Sequence, residues 1–222
     1  MARKIEAVIF DLDGVIADTV NLYYMANRMI ADVLGITLSK EENDRFRGLR
    51  RMVVIEELAK KAMVTLNEDE KNSLSALKNS YYQNMIEGIT PKGLKSGIAE
   101  FLEELTQQRL KIGLASSSTN ANAILERLQI IQYFDTIVDP EKLSKGKPDP
   151  EIFFTAADML QLSYENCVAI EDSEVGLKAI LKTPMFSIGI GKNPFMQNAH
   201  WHINCTSQLN YKELHQHFFE WR

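Results

Sequence analysis

Two carboxylates, Asp11 and Asp13, stand one residue apart at the end of an apolar run, Ala7-Val8-Ile9-Phe10, and Gly14 follows them. Carboxylates this close repel each other unless a cation or a shared proton relieves them. A hard cation with oxygen ligands, Mg²⁺ above all, supplies that relief. One carboxylate then remains able to act as a nucleophile or a base. Asp-Gly is also ordinary turn chemistry. A second acid before that pair, and Val15-Ile16-Ala17-Asp18-Thr19 after it, go beyond what a turn requires.

Other segments carry matching chemistry. Glu171-Asp172 closes a second apolar run, Cys167-Val168-Ala169-Ile170. Asp172-Ser173 would also cap a following helix, but two strands that both end in acid pairs favour a metal site. Leu114-Ala115 leads into Ser116-Ser117-Ser118-Thr119-Asn120. Hydroxyls and backbone N–H groups at a helix start bind anions, and Ser118 or Thr119 could serve there as an N-cap. Lys145-Gly146-Lys147-Pro148-Asp149-Pro150 offers lysines; one held near the Asp pair would neutralise phosphoryl charge. Arg45-Phe46-Arg47-Gly48-Leu49-Arg50-Arg51 is a basic cluster. It reads either as a solvated helix face or as a phosphate site, since arginine grips phosphate bidentately.

Those residues need elements to position them. Strand patterns cover Ile5 to Phe10, Leu110 to Ala115, Thr136 to Val138, Cys167 to Ile170 and Met185 to Ile190. Helical spacing covers Gly97 to Gln108, Asn120 to Leu128, Pro150 to Leu160, Glu174 to Leu181 and Tyr211 to Phe219. The alternation predicts an α/β fold on a parallel sheet, and such a sheet binds its ligand at the carboxyl ends of its strands. From Ala17 to Ile89 the alternation stops. Asn21 to Leu34, Arg51 to Met63 and Glu68 to Ile86 are helical, so three or four helices form an inserted lobe. The expected division is a catalytic core of residues 1–16 and 92–222 and a helical cap of residues 17–91, with Gly88-Ile89-Thr90-Pro91-Lys92-Gly93 as linker.

The chain has 222 residues and a net charge of −5. That length buries a sizeable core, and the acidic balance argues against nucleic-acid binding. No apolar run approaches a transmembrane helix. Arg3-Lys4 precedes too short an apolar stretch for a signal peptide. Cys167 and Cys205 are expected to be buried thiols of a cytoplasmic protein, although one bridge remains compatible with the sequence. His200, His202, His215 and His217 read as surface or packing residues.

Phe10-Asp11-Leu12-Asp13-Gly14-Val15-Ile16, with Asp18-Thr19, resembles the first motif of the haloacid dehalogenase superfamily of phosphotransferases. The serine segment, Lys147-Pro148 and Glu171-Asp172 follow in the order of that family's other motifs, and the resemblance runs from Ile5 to about Gly191. It implies a Rossmann-like core with a helical cap that closes during turnover. It selects Lys147 over Lys145. It makes Asp11 the nucleophile, forming an aspartyl-phosphate, and Asp13 the general acid and base. Asp11 and Asp172 would bind Mg²⁺ through carboxylates and Asp13 through its backbone carbonyl, with Glu171 in support. Ser116, Ser117 and Lys147 would hold the reacting phosphate.

The acceptor decides the activity. Water makes a phosphatase; a sugar hydroxyl makes a mutase, which needs a second anion site for the idle phosphate. Arg47-Gly48-Leu49-Arg50-Arg51 is similar to the cap substrate loop of β-phosphoglucomutases, with Arg51 on the phosphate-binding arginine and Lys78 on a second cap residue. The resemblance implies interconversion of β-glucose 1-phosphate and glucose 6-phosphate by a monomer, with Gly48, Arg51, Lys78, Ser118, Asn120, Thr19 and Tyr23 around the sugar phosphate. Tyr23 departs from the hinge histidine of those mutases and Arg50 from their usual serine. A sugar-phosphate phosphatase is the alternative. A non-catalytic binding protein would have lost Asp11 or Asp13, and both are present.

Overall fold

A computed structural model describes residues 4–221; Arg3, part of the basic start, lies outside them. Six strands form one sheet: β1 (Ala7–Phe10), β2 (Lys111–Leu114), β3 (Thr136–Ile137), β4 (Cys167–Glu171), β5 (Phe186–Ile190) and β6 (Trp201–Ile203). The order is β3-β2-β1-β4-β5-β6, and every pairing is parallel. Central strands β1, β4 and β5 are buried at every position, which is why they read as largely apolar runs. The strand order reverses direction between β1 and β4, the place where an open sheet leaves a crevice. Both acid pairs emerge there.

Helices α1 (Val20–Val33), α2 (Lys40–Asp44), α3 (Arg51–Lys61) and α4 (Glu68–Ile86) follow β1 without a strand among them. Ile30, Leu38, Val54, Ile55 and Leu58 bury one another in a separate apolar cluster, so these helices have a core of their own. Asn67 starts α4 through a capping box with Glu70. The two connectors to the sheet run side by side: Asp18 N–H donates to Gly93 O, and Lys95 N–H to Ile16 O, both at 2.9 Å. Beyond them, α5 (Ile98–Gln107), α6 (Ala121–Arg127), α7 (Glu151–Leu160), α8 (Glu174–Ile180) and α9 (Tyr211–Glu220) flank the sheet.

Four features differ from the sequence reading. Strand β6 is only three residues long with a histidine in its middle, too short for a period to register. Helix α2 is polar and was passed over; its Ser39–Glu42 capping box marks it. The N-cap of α6 is Asn120 rather than Ser118 or Thr119. Cys205 is exposed, while Cys167 is buried and both thiols are free; the segment around Cys205 sits on a surface turn, where no apolar neighbours enclose it. The histidines pack as expected. His217 stacks on Trp201, His215 lies against Phe219, and His202 Nε2 lies 2.7 Å from Gly191 O.

Candidate active site

Asp11 follows the last residue of β1, and β1 pairs with β4 in register, Phe10 opposite Ile170. That register sets Asp11 beside Glu171. Lys147 reaches both from the opposite loop: its Nζ lies 2.6 Å from Asp11 Oδ1 and 2.7 Å from Glu171 Oε2. Buried charges persist only when paired in this way. Burial works against the charge on Lys147, but Asp11 and Glu171 beside it raise its pKa above the ordinary lysine value. The other oxygen of Glu171, Oε1, accepts from Ser173 Oγ at 2.8 Å and from the Ser173 and Asp172 N–H groups. Ser173 in turn caps α8 through Gly176 N–H at 3.0 Å.

Burial, then the charge of Glu171, pushes the Asp11 carboxyl well above its usual range. Asp13 rises to about 6, again through burial, with Thr19 opposing. Thr19 Oγ1 donates to Asp13 Oδ1, and Tyr82 OH donates to the same oxygen at 3.4 Å. Both donors take Oδ1, which leaves Oδ2 without either of them. Asp172 is raised to about 7 by burial, partly offset by Arg47, whose guanidinium meets the Asp172 carboxylate.

Asp11, Glu171 and Asp172 each offer an oxygen within 4.8 Å of the others, a donor set that suits a hard cation. A side chain at Gly14, which has φ +89°, would put Cβ 1.9 Å from Asp172 Oδ2. The turn therefore needs glycine if Asp172 is to reach this position. The residues fit a divalent cation.

Residues 116–120 cross from the carboxyl end of β2 to α6. Ser116 Oγ accepts from Ser118 N–H at 3.1 Å, and Ser118 Oγ from Asn120 N–H at 3.2 Å, so the hydroxyls shape the loop. The helical lobe closes onto it. Ser117 Oγ donates to Gly48 O at 2.8 Å, Arg51 donates to Thr119 Oγ1 at 2.5 Å, and Asn120 donates to Asn79 Oδ1 at 3.0 Å while accepting from Gln83 at 3.2 Å. A cavity of about 380 Å³ lies between the lobes, lined among others by Asp11, Asp13, Asp172, Arg51, Lys78, Tyr23 and Asn120. Its size suits a small phosphorylated ligand. Lys78 is buried with its Nζ 5.9 Å from the Tyr23 ring centre. Burial and then Arg51 lower its pKa to about 7. The Tyr23 ring packs 4.2 Å from that of Tyr82, and burial, then Asp13, raises the Tyr23 hydroxyl above its ordinary value.

Of the residues singled out in the sequence, Asp11, Asp13, Tyr23, Gly48, Arg51, Lys78, Ser117, Ser118, Asn120, Glu171 and Asp172 line this cavity, while Lys147, Thr19 and Ser116 sit behind it, bonded to Asp11, Asp13 and Ser118. The sequence reading missed Tyr82, Asn79 and Gln83, and named Arg47 and Thr119 only as members of the basic cluster and of the hydroxyl segment. Asn79, Tyr82 and Gln83 share a face of α4 with Lys78, a spacing that would have pointed to them.

The Haloacid dehalogenase-like hydrolase family matches residues 8–190. The chain is 43% identical over 219 residues to the beta-phosphoglucomutase of Bacillus subtilis (strain 168), covering 98% of this chain and 97% of that protein. It is 33% identical over 178 residues to a phosphorylated carbohydrates phosphatase of Thermotoga maritima, covering 78% and 79%. The crystal structure of a beta-phosphoglucomutase from Clostridium difficile superposes with a TM-score of 0.95 at 36% identity, covering 98% of each chain. With its sheet order, its acid pairs and these matches, the chain belongs to the haloacid dehalogenase-like hydrolase family.

Proposed function

We propose that this chain is a Mg²⁺-dependent phosphotransferase that interconverts β-glucose 1-phosphate and glucose 6-phosphate through an aspartyl-phosphate and a sugar bisphosphate. One observation carries the reading: two separate sets of cationic groups serve a single cavity, Lys147 behind the lining residue Asp11 and, from the helical lobe, Arg51 with Lys78. A sugar bisphosphate needs two anion sites. The near full-length similarity to the Bacillus subtilis enzyme supports a sugar hydroxyl as acceptor.

An Asp11 oxygen attacks phosphorus in line while the bond from phosphorus to the sugar oxygen breaks. Asp13 gives that leaving oxygen its proton and later takes a proton from the next hydroxyl. Thr19 and Tyr82 hold Oδ1 of Asp13, which leaves Oδ2 as the atom that moves the proton. Lys147 and Ser116 stabilise the phosphoryl oxygens, and Ser117, tied to Gly48, aligns the loop. Asp11 and Asp172 would hold Mg²⁺ by carboxylates and Asp13 by its carbonyl, with Glu171 keeping Lys147 and Ser173 in place. Mg²⁺, when bound, offsets charge on the transferring phosphoryl group. Arg51, Ser118 and Asn120 bind the idle phosphate, and Lys78 and Tyr23 line the sugar.

Residues 17–91 act as the cap and residues 1–16 and 92–222 as the core, a division supported by the separate apolar cluster and the paired connectors. The protein works as a monomer, because one chain supplies every site residue. It works in the cytoplasm, a compartment that suits two free thiols. No described helix is long and apolar enough to cross a membrane. Tyr23 and the Thermotoga maritima relative favour a second reading, a sugar-phosphate phosphatase.

One incubation separates the readings: β-glucose 1-phosphate, Mg²⁺ and a trace of the 1,6-bisphosphate. Glucose 6-phosphate is the expected product; release of inorganic phosphate alone gives the phosphatase reading. Arg51→Ala should impair isomerisation severely and hydrolysis of a small aryl phosphate much less, because the aryl ester has no second phosphate.

A further inference from the structure

Arg50 occupies the N-cap position of α3 but makes no side-chain cap there. Its guanidinium crosses to the core instead. It donates to Leu143 O at 3.0 Å and to Lys145 O at 2.7 Å. The loop it meets carries Lys147, the lysine that joins Asp11 and Glu171. This loop is held from two sides. From the core, the Glu151 carboxylate accepts from Ser144 N–H at 2.9 Å and from Lys145 N–H at 2.6 Å, and the Leu143 side chain is buried. From the helical lobe, Arg50 takes the carbonyls. Backbone donors and acceptors are therefore satisfied by residues of different lobes.

The contact is close as well as polar. A Cβ on Gly146 would lie 2.8 Å from Cγ, Cδ and Nε of Arg50. The absence of a side chain at Gly146 is what lets the Arg50 stem lie flat on the loop.

We propose that Arg50 is a positioning residue: docking of the helical lobe places Lys147 through the Arg50 grip on the Leu143 and Lys145 carbonyls. The inference rests on Lys147 serving phosphoryl transfer, as proposed above, but not on the identity of the acceptor. Asp11 and Glu171 fix the end of the Lys147 side chain, while the loop leading into it is held from the helical lobe by Arg50, at Leu143 O and Lys145 O. When an Asp11 oxygen engages phosphorus, Lys147 must shift its bonds toward the phosphoryl oxygens, and a clamped backbone limits how far it strays. Arg51, the next residue, donates instead to Thr119 Oγ1, so the adjacent arginines reach different loops of the core.

The test uses the wild type, Arg50→Ala, Gly146→Ala and the double variant, with p-nitrophenyl phosphate hydrolysis and hydrogen exchange over residues 143–147. Arg50→Ala should lower kcat by about tenfold, as expected for losing charge-assisted bonds felt at the transition state, and leave KM within about twofold. Exchange over the loop should speed up. Gly146→Ala should lower kcat on its own but add nothing in the Arg50→Ala background, because the collision partner is gone. Unchanged exchange, multiplying losses in the double variant, or a raised KM with kcat kept would each overturn the proposal. If the wild type releases only phosphate from sugar phosphates, the mutase reading fails while these outcomes still decide the role of Arg50.

Discussion

Lys147 Nζ sits 2.6 Å from Asp11 Oδ1, inside the protein and 136 residues away in sequence. Asp11, the proposed nucleophile, and Lys147 are therefore one buried unit with Glu171. Removing the lysine leaves two buried carboxylates facing each other, and breaking a buried pair from one side costs about 3–5 kcal/mol. Lys147→Met should lose stability of that order in urea at neutral pH, along with turnover. Unchanged stability would mean that the carboxylates find another partner.

Asp13→Asn should disable turnover through loss of the proton shuttle. The loss should be smaller for an aryl phosphate with a good leaving group, which departs without a proton. Burst kinetics with good and poor leaving groups measure this, and equal losses would count against the acid role. Asp11→Asn should abolish both reactions while the far-UV circular dichroism stays that of the wild type.

Chelation should stop the reaction and Mg²⁺ should restore it, because three acids share one small space. Asp172→Ala should weaken Mg²⁺ binding in calorimetry more than it weakens sugar-phosphate binding. Full turnover in excess chelator would remove the metal from the mechanism.

Lys78 predicts a pH dependence. Its folded pKa is about 7, so its positive charge is lost as pH rises through 7. Sugar-phosphate binding should weaken over that range, and Lys78→Arg should flatten the profile because arginine keeps its charge. The stability sign is opposite. Between pH 7 and the ordinary lysine value the unfolded chain binds more protons at this position, so stability rises with pH there. Lys78→Met should remove that rise in denaturant titrations at pH 7 and pH 9.

Much of the fold was legible because β1, β4 and β5 lie inside a parallel sheet, are buried at every position and are therefore mostly apolar. Helix α4 was readable from its spacing, and Asp11, Asp13, Lys147 and Asp172 from their places in motifs. Strand β6 and helix α2 were not, since three and five residues are too few for a period to show.

By itself, the sequence determined which groups could do chemistry and that each acid pair closes a strand. Only the tertiary structure decided their partners. Arg47 meets Asp172 across 125 residues, Tyr82 meets Asp13 across 69, and Arg50 meets the carbonyls of the Lys147 loop across 93 and 95. Local spacing cannot encode such pairings. They arise because β1 and β4 lie side by side at the reversal of the sheet, and because the inserted helices fold back over the carboxyl ends of the strands, where burial favours polar groups that find a partner.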